Sequence, residues 1–538
     1  MSPALPSPLT VGDLLDDRAK SRGDHPFLIC DEQTLSYAET SERSVALARG
    51  LIASGLGHGS RVGLLHPNGP EFVVAALATA RIGAVTVPLS TFSTASELRT
   101  LLRNADVEMV LAAAGYRRHN YLELLSEAVP ELDLLATAPV FSPSVPTLRR
   151  VAYDGPAGAI DRTWTVQSVR EAGRRTGLEV LQAAQERVKP SDRLVIVHTS
   201  GSTAEPKGVI HTHGSLISHV NVLNGVRRYH EDEILFCNSP FFWIGGYAYA
   251  LLGSLAAGGT LVCSNAPEAS DVLDVIERTR PTMVNGFAQS VAHLPADPSF
   301  ARRDLSSIRR GNLYPIMTDD VRPANPELVH NMLGMTETGS VCLASDDESA
   351  QPEHHRGSFG RPVSDIEAKI IDPESGAESG IGEVGELCLR GPALMEGYCG
   401  RERHETFDRD AWYHSGDLFL VDAEGFYYFK GRHGEMIKTS GANVSPREVE
   451  AAISDETGFV AHVFGLDDPA RGQLVTAVIR VPAKATSPDI EQVASNLRTR
   501  LSAYKVPKRI LVIDEKDVPM MSSGKLDLRT LKERLSDH

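Results

Sequence analysis

The chain is predicted to be an α/β protein, built as a large amino-terminal domain of several layered α/β subdomains followed by a small carboxy-terminal α/β domain. Three observations carry this prediction. The 538 residues exceed what one hydrophobic core normally serves. From Leu35 onward, apolar runs of strand length alternate with segments of helical period. Near Ser445 the alternation restarts on a smaller scale, behind a helix-start signal of its own.

In chain order, a helix-period segment covers Glu39–Leu56, a strand Arg61–Leu65, a second helix Glu71–Ile82 and a strand Val85–Leu89. Residues 139–175, rich in Pro, Gly and polar side chains, read as a surface excursion or a junction between subdomains. Leu194-Val195-Ile196-Val197 is an apolar, β-branched run expected to be a buried strand, and Ile210–Asn224 reads as a helix. In the last part, Ser445-Pro446-Arg447-Glu448 is a capping box with proline at the first helical position, opening a helix that runs toward Gly458. Strands at Ala461–Phe464 and Leu474–Val481, a helix at Asp489–Leu501 and a strand at Ile510–Ile513 complete the unit.

A net charge of -16 offers no general basic face to a phosphate backbone, which speaks against nucleic acid as a partner but leaves room for a local basic pocket. Hydrophobic content of 42% with 23% charged residues is that of an ordinary globular chain and sets disorder aside. Met1-Ser2-Pro3-Ala4-Leu5-Pro6 has neither the basic nor the apolar stretch of a signal peptide, and no apolar run approaches the ~18–20 residues of a membrane span. A soluble, cytoplasmic protein is expected. Cys30, Cys237, Cys263, Cys342, Cys388 and Cys399 are scattered without a CxxC pair and are expected to be reduced core residues. The pairs His211/His213 and His354/His355 lack further ligands at helix spacing and are set aside as metal sites.

The chain is organised around His198-Thr199-Ser200-Gly201-Ser202-Thr203-Ala204-Glu205-Pro206-Lys207-Gly208-Val209, directly after the buried run. Glycine lets backbone N–H groups turn toward one point, the hydroxyls add donors, and Lys207 after the bend at Pro206 brings a point charge. Together they suit a polyphosphate. This is not a Walker A loop, because no Gly-Lys-Ser/Thr triplet follows at the required spacing. From Thr199 to Gly208 it is similar, residue for residue, to the phosphate-loop signature of the adenylate-forming superfamily: acyl-CoA synthetases, peptide-synthetase adenylation domains and beetle luciferases. The resemblance, nearest to the acyl-CoA synthetases, gives Thr199, Ser200, Gly201, Ser202, Thr203 and Lys207 to the phosphates of ATP, with Thr203 also on the metal.

Asn331-Met332-Leu333-Gly334-Met335-Thr336-Glu337 resembles the Tyr-Gly-x-Thr-Glu motif of the same superfamily. By that resemblance Asn331 to Thr336 border the nucleotide, Thr336 donates to the α-phosphate, and Glu337 holds Mg²⁺, a hard cation that takes carboxylate oxygen. Leu333 stands where a tyrosine usually stacks on adenine, so aromatic stacking is missing there. Arg310-Gly311-Asn312-Leu313 and Thr282–Gln289 fall where relatives form the adenine slot and acyl pocket, which assigns Gly311 and Asn312 to the nucleotide and Gly286 and Phe287 to the acid. In Pro240-Phe241-Phe242-Trp243-Ile244-Gly245-Gly246, Trp243 takes the place of the aromatic or histidine beside the acid, with Gly246 near it. No acidic residue occurs from Asn238 through Val262, so an α-amino group would be buried without a counter-ion and amino acids are disfavoured.

Trp412-Tyr413-His414-Ser415-Gly416-Asp417 resembles the next motif, in which the aspartate carboxylate accepts both ribose hydroxyls. At Lys430–Lys438 the chain keeps Arg432, which meets ribose or phosphate in relatives. It carries Gly434 at the hinge position and Glu435 in place of the usual aspartate. The resemblance therefore divides the chain into domain 1–433 and a mobile lid, 434–538. Ser440 and Gly441 match the loop laid along the pantetheine arm of CoA, and Lys525 in Ser523-Gly524-Lys525 stands where the superfamily carries its adenylation lysine.

What the resemblance implies is an ATP-dependent acid–CoA ligase using Mg²⁺ and coenzyme A, with Lys525, Lys207, Thr336 and Glu337 carrying the chemistry and a small non-amino carboxylic acid as substrate. Transfer to a separate carrier-protein thiol or an amine is an alternative ending. A catalytically inactive nucleotide-binding regulator is an alternative of another class: Leu333 and Gly434 speak for it, and the retention of Lys207, Glu337, Asp417, Arg432 and Lys525 speaks against it.

Overall fold

Continuous apolar runs build a seven-stranded sheet at the centre of the large unit. Its strands run in the order Gly397–Tyr398, Lys207–Thr212, Arg193–Thr199, Val85–Pro88, Arg61–Leu65, Met109–Ala113 and Arg150–Asp154. From Arg193–Thr199 to the far edge the neighbours are parallel, as expected of strands covered on both faces. A second sheet, in the order Arg310–Gly311, Met283–Val284, Ile234–Phe236, Thr260–Cys263, Pro26–Cys30 and Gln33–Ser36, is parallel except for its last pair. The Pro70–Arg81 helix packs in the core shared by both sheets, so that Phe72 through Arg81 are all buried. Its terminal Arg81, 1% exposed, is satisfied by Asp16 at 2.7 Å, Gln185 at 2.7 Å and Ser44 at 2.9 Å.

The computed structural model describes residues 10–536, apart from 156–159, 200–205, 288–289, 433–436, 440–441, 445, 469–471, 484, 502–504 and 522–525. The chain divides into two compact units, residues 1–367 with 390–411, and residues 368–389 with 412–538. In the second unit Gly385–Arg390, Tyr413–Val421 and Tyr427–Arg432 form an antiparallel sheet. A further sheet is centred on Gly472–Val481, flanked by Ala461–Asp468 and, in parallel, Arg509–Asp514. Val449 and Ile453 of the Pro446–Thr457 helix and Val493 and Leu497 of the Ile490–Arg500 helix cover this sheet.

Two expectations change. The segment read as one helix from Ile210 is a strand, Lys207–Thr212, followed by a helix from His213 to Val226. Val209 and Ile210 pair with Val197 and Ile196, and the helix starts only after Thr212, whose hydroxyl caps Ser215 in a reciprocal box. Residues 139–175 are less irregular than their composition suggests. They supply the edge strand Arg150–Asp154 and the helix Val166–Gly173, fastened by Trp164, which is 1% exposed and donates its indole N–H to the Ala136 carbonyl. All six cysteines are free thiols, and five are buried. Among the described residues no helix is long and apolar enough to cross a membrane.

Candidate active site

The lysine of the glycine-rich stretch opens the Lys207–Thr212 strand, opposite Thr199 at the end of Arg193–Thr199. Residues 200–205, which hold the predicted Ser200, Gly201, Ser202 and Thr203 contacts, lie outside the described residues. On the other side of Lys207–Thr212 the two-residue strand Gly397–Tyr398 pairs with Ile210 and Val209. It brings the Tyr398 ring beneath Lys207, whose ammonium lies 5.2 Å from the ring centroid, a distance for cation–π attraction. The Tyr398 hydroxyl donates to Glu337 Oε1 at 2.8 Å. Lys207 and Glu337, 130 positions apart in the chain, are thus joined through one tyrosine.

Thr336 and Glu337 sit on a single 3₁₀ turn, Thr336–Thr338, closed by Gly339 at φ 70. A side chain at Gly339 would be strained, and its Cβ would come within 2.9 Å of Leu216 Cδ2. The turn is held from below by His211, which is wholly buried and places Nε2 at 2.7 Å from the Thr336 carbonyl. A carbonyl can only accept, so the ring proton is on Nε2. Burial holds this imidazole at a pKa of about 4, so it is neutral at pH 7. The Met395 N–H also donates to the Glu337 carbonyl at 2.8 Å. Asn331, Met332 and Gly334 are exposed beside the turn, while Leu333, Met335, Thr336 and Glu337 are half-buried, so the predicted nucleotide-facing segment is accessible.

The predicted adenine and acid residues interlock. Gly311, at φ 132, approaches so closely that a Cβ would lie 1.8 Å from the Val284 carbonyl oxygen, so only glycine fits. Asn312 accepts from the Gly286 N–H and donates to the Gly286 carbonyl, both at 3.0 Å. Two cavities flank this segment. One, of about 200 Å³, is lined by Asn285, Gly311, Asn312, Met332, Tyr249 and Arg227 among others. The other, of about 360 Å³, is lined by Trp243, Phe287, Phe242, Asn238, Tyr116 and Arg117 among others. Trp243 and Phe287 meet edge to face with ring centroids 6.4 Å apart. Gly246 belongs to a π-helix, Gly245–Leu252, and a Cβ there would collide with the Pro240 carbonyl oxygen at 2.1 Å. That π-helix follows Trp243 of one cavity and carries Tyr249 of the other.

In the second unit, Asp417 and Arg432 are register partners, and Arg432 Nε donates to Asp417 Oδ1 at 2.6 Å. Asp417 is 5% exposed, and burial raises its pKa against the pull of Arg432 and Arg447. His414 places Nδ1 at 2.9 Å from Glu386, whose other oxygen accepts from the Gly416 N–H at 2.9 Å, which fixes the turn before Asp417. The predicted Lys525, Gly434, Ser440 and Gly441 lie outside the described residues.

The AMP-binding enzyme family matches residues 15–399, and its C-terminal domain matches residues 448–525. The chain belongs to the AMP-binding enzyme family. This AMP-binding enzyme is 31% identical to a feruloyl-CoA synthase of Amycolatopsis sp, over 91% of this chain and 92% of the relative. It is 28% identical to the mouse (Mus musculus) mitochondrial medium-chain acyl-CoA ligase ACSF2, over 98% of this chain and 88% of that protein. Its fold is that of ATP-bound MatB from Rhodopseudomonas palustris, with a TM-score of 0.80 at 24% identity over 98% of this chain and 99% of the other. It is an enzyme of the acyl-CoA synthetase kind, with a carboxylic acid, ATP and CoA as substrates.

Sequence reasoning missed Tyr398 and His211 as supports of this AMP-binding enzyme's candidate site. Tyr398 lies on a strand too short to show a pattern. The one available signal was the β-branched pair Val209-Ile210, which needs an edge partner. His211 was weighed only as a metal ligand, whereas its partner is a backbone carbonyl 125 residues away.

Proposed function

We propose that the enzyme joins a non-amino carboxylic acid to CoA in two steps, with the roles of its residues as follows. The acid's carboxylate oxygen attacks the α-phosphorus of ATP, pyrophosphate leaves, and acyl-AMP forms. The CoA thiolate then attacks the acyl carbon and AMP leaves. Neither step needs a side-chain nucleophile, so positioning and charge neutralisation carry them. Lys207 and the 199–203 loop take the pyrophosphate portion, Thr336 donates to the α-phosphate, and Asn331 to Met335 with Gly311 and Asn312 border the base. Asp417 and Arg432 take the ribose, and Lys525 neutralises the meeting of carboxylate and α-phosphate. Trp243, Gly246, Gly286 and Phe287 border the acid, and Ser440 and Gly441 the pantetheine arm. Gly434 is the pivot that lets the 434–538 portion serve each step in turn.

The donor set suits Mg²⁺. The Tyr398 hydroxyl steadies Glu337 Oε1, and a carboxylate has a second oxygen for a hard cation, with the Thr203 hydroxyl as a further oxygen ligand. When bound, the ion would offset charge on the phosphates. A cytoplasmic location accompanies this reading.

The observation that carries the proposal is the Lys207–Tyr398–Glu337 connection. It holds a cation and a carboxylate on one tyrosine, and a metal–triphosphate needs both kinds of partner. The test is acid-dependent exchange of labelled pyrophosphate into ATP, followed by trapping of the product with CoA. Exchange followed by a CoA thioester is expected. ATP binding without exchange for any acid would instead indicate a nucleotide-binding regulator, and transfer only to a carrier thiol or an amine would change the acceptor.

A further inference from the structure

The antiparallel sheet of the second unit gathers a carboxylate, a thiol and an imidazole at one point. Glu386 and Cys388 stand two apart on Gly385–Arg390 and so share a face of the sheet. His414 is the register partner of Cys388 on Tyr413–Val421. Between the pairs Glu386–Leu418 and Cys388–His414 the register shifts, so that Leu387 alone faces Ser415, Gly416 and Asp417, and Gly416 takes φ 72. At this bulge one Glu386 oxygen accepts from the Gly416 N–H at 2.9 Å, and the other lies 2.9 Å from His414 Nδ1. Cys388 Sγ lies 3.6 Å from the same Nδ1, and one donor atom of each side chain lies within 4.8 Å of the others.

This spacing is that of a metal-ligand triangle. In tetrahedral zinc, bonds of ~2.3 Å to sulfur and ~2.05 Å to nitrogen set those two donors about 3.6 Å apart, and a nitrogen and an oxygen donor about 3.3 Å apart. The thiol and imidazole already stand at the first distance, and the carboxylate has to draw back from the ring by about 0.4 Å to reach the second. The three side chains are graded in exposure: Cys388 is buried against Ile371 and Trp412, Glu386 is 14% exposed and His414 is 41% exposed. The open side of the triangle is therefore the imidazole side. A thiol is a weak partner in a hydrogen-bond network, but as a thiolate it is the ligand that selects a zinc-like ion over Mg²⁺.

We propose that Glu386, Cys388 and His414 form a site for a thiophilic divalent cation of the Zn²⁺ class, distinct from the Mg²⁺ of the reaction, and that filling it weakens nucleotide binding. The ion takes Cys388 Sγ, His414 Nδ1 and Glu386 Oε2, with water as the fourth ligand on the imidazole side. The thiol proton leaves to solvent, and the His414 ring proton moves from Nδ1 to Nε2, so one proton is released for each ion bound. The link to the nucleotide runs through Glu386. A carboxylate drawn onto the ion shifts or loses its bond to the Gly416 N–H, and with it the turn that sets Asp417. That second half rests on the reading above that Asp417 takes the ribose, whereas the metal site itself does not.

The full reduced chain is titrated with Cd²⁺, whose bond to a thiolate gives an ultraviolet charge-transfer band, and with Zn²⁺ by calorimetry. The band is expected with wild type and lost in Cys388→Ser. Zn²⁺ affinity is expected to fall at least ~100-fold in Cys388→Ser and in His414→Gln, since loss of even an outer-shell partner of a metal site costs 10–100-fold. AMP affinity is then measured with and without Zn²⁺, AMP being used because the triphosphate of ATP itself holds the ion. Zn²⁺ is expected to weaken AMP binding by wild type about tenfold and to leave that of Cys388→Ser unchanged. No thiolate band in wild type, or equal Zn²⁺ affinity in wild type and Cys388→Ser, overturns the site. A band with AMP affinity unmoved by Zn²⁺ overturns the link to the nucleotide. A chain that binds the ion as expected but binds no AMP under either condition overturns the nucleotide reading and leaves the metal site standing.

Discussion

Mild acid removes stability from the large unit through two histidines that the fold keeps neutral. His211 and His213 are wholly buried, and burial holds each ring at a pKa of about 4 against an ordinary 6.5. Each carries its proton on Nε2, because His211 donates from Nε2 to the Thr336 carbonyl and His213 Nδ1 accepts from the Val11 N–H at 3.2 Å. A second proton must therefore enter on Nδ1, which is buried and unpartnered in His211 and already used in His213. The folded pKa lies below the unfolded one, so this stability is fully present above pH 6.5 and is lost as pH falls toward 4. At pH 5 the unfolded ring is about 97% protonated and the folded ring about a tenth, which costs about 2 kcal/mol per histidine, or about 4 kcal/mol for the pair. The His198 ring, also held at about 4 by burial, adds in the same direction. With an m-value of about 3 kcal/mol/M in urea, the three rings together lower the unfolding midpoint reported by buried Trp164 by about 2 M between pH 7 and pH 5. In His213→Leu the difference between the two pH values shrinks by about 2 kcal/mol, whatever the absolute stability becomes. A midpoint that is the same at both pH values, or higher at pH 5, refutes the reasoning.

Four further outcomes are expected. Tyr398→Phe removes the hydroxyl on Glu337, and at limiting Mg²⁺ exchange falls about tenfold, the equivalent of ~1.5 kcal/mol for a hydrogen bond to a carboxylate; equal loss at all Mg²⁺ concentrations speaks against Glu337 as a metal ligand. Lys525→Ala lowers adenylate formation ~10²–10³-fold while leaving thiolysis of supplied acyl-AMP, and parental-rate adenylation by this variant removes Lys525 from the mechanism. Asp417→Asn weakens ATP binding about tenfold or more by calorimetry, since an amide presents one acceptor oxygen where the carboxylate presents two; unchanged affinity takes Asp417 off the ribose. Arg81→Met, which removes a buried guanidinium from Asp16, Gln185 and Ser44, costs about 1–3 kcal/mol in urea unfolding, and no measurable cost shows the pair to be dispensable.

Local pattern made much of the fold legible. The Arg61–Leu65 strand and the Pro70–Arg81 helix fall within a residue of expectation, because a strand covered on both faces and a core helix opened by proline have strong local signals. The Lys207–Thr212 strand was lost to a helical reading because its Val209-Ile210 pair is stabilised by Val197, Ile196 and Tyr398, which are contacts across the sheet. The Arg150–Asp154 strand was hidden by the prolines and glycines on either side of it, although Val151 and Ala152 are fully buried at the sheet edge. The π-helix at Gly245–Leu252 has no sequence period of its own; what selects it is the close approach of Gly246 to Pro240.

The candidate site divides along the same line, for a reason that bears on how it is tested. Groups proposed to meet a ligand, such as Lys207, Glu337 and Asn331, are accessible, polar and set in short motifs, so their chemistry shows in the sequence. Groups that aim them are buried and resemble core: His211 under the 3₁₀ turn and Tyr398 on a two-residue strand. Substitution in the first set removes a charge or a hydrogen-bonding group from the reaction, whereas substitution in the second leaves every such group in place and moves it. A ligand-facing variant should therefore lose rate by a factor that added ATP or Mg²⁺ does not restore once binding is saturated. An aiming variant such as Tyr398→Phe recovers as the ligand that Glu337 was poised for is raised, because binding can supply the orientation that the missing hydroxyl no longer provides.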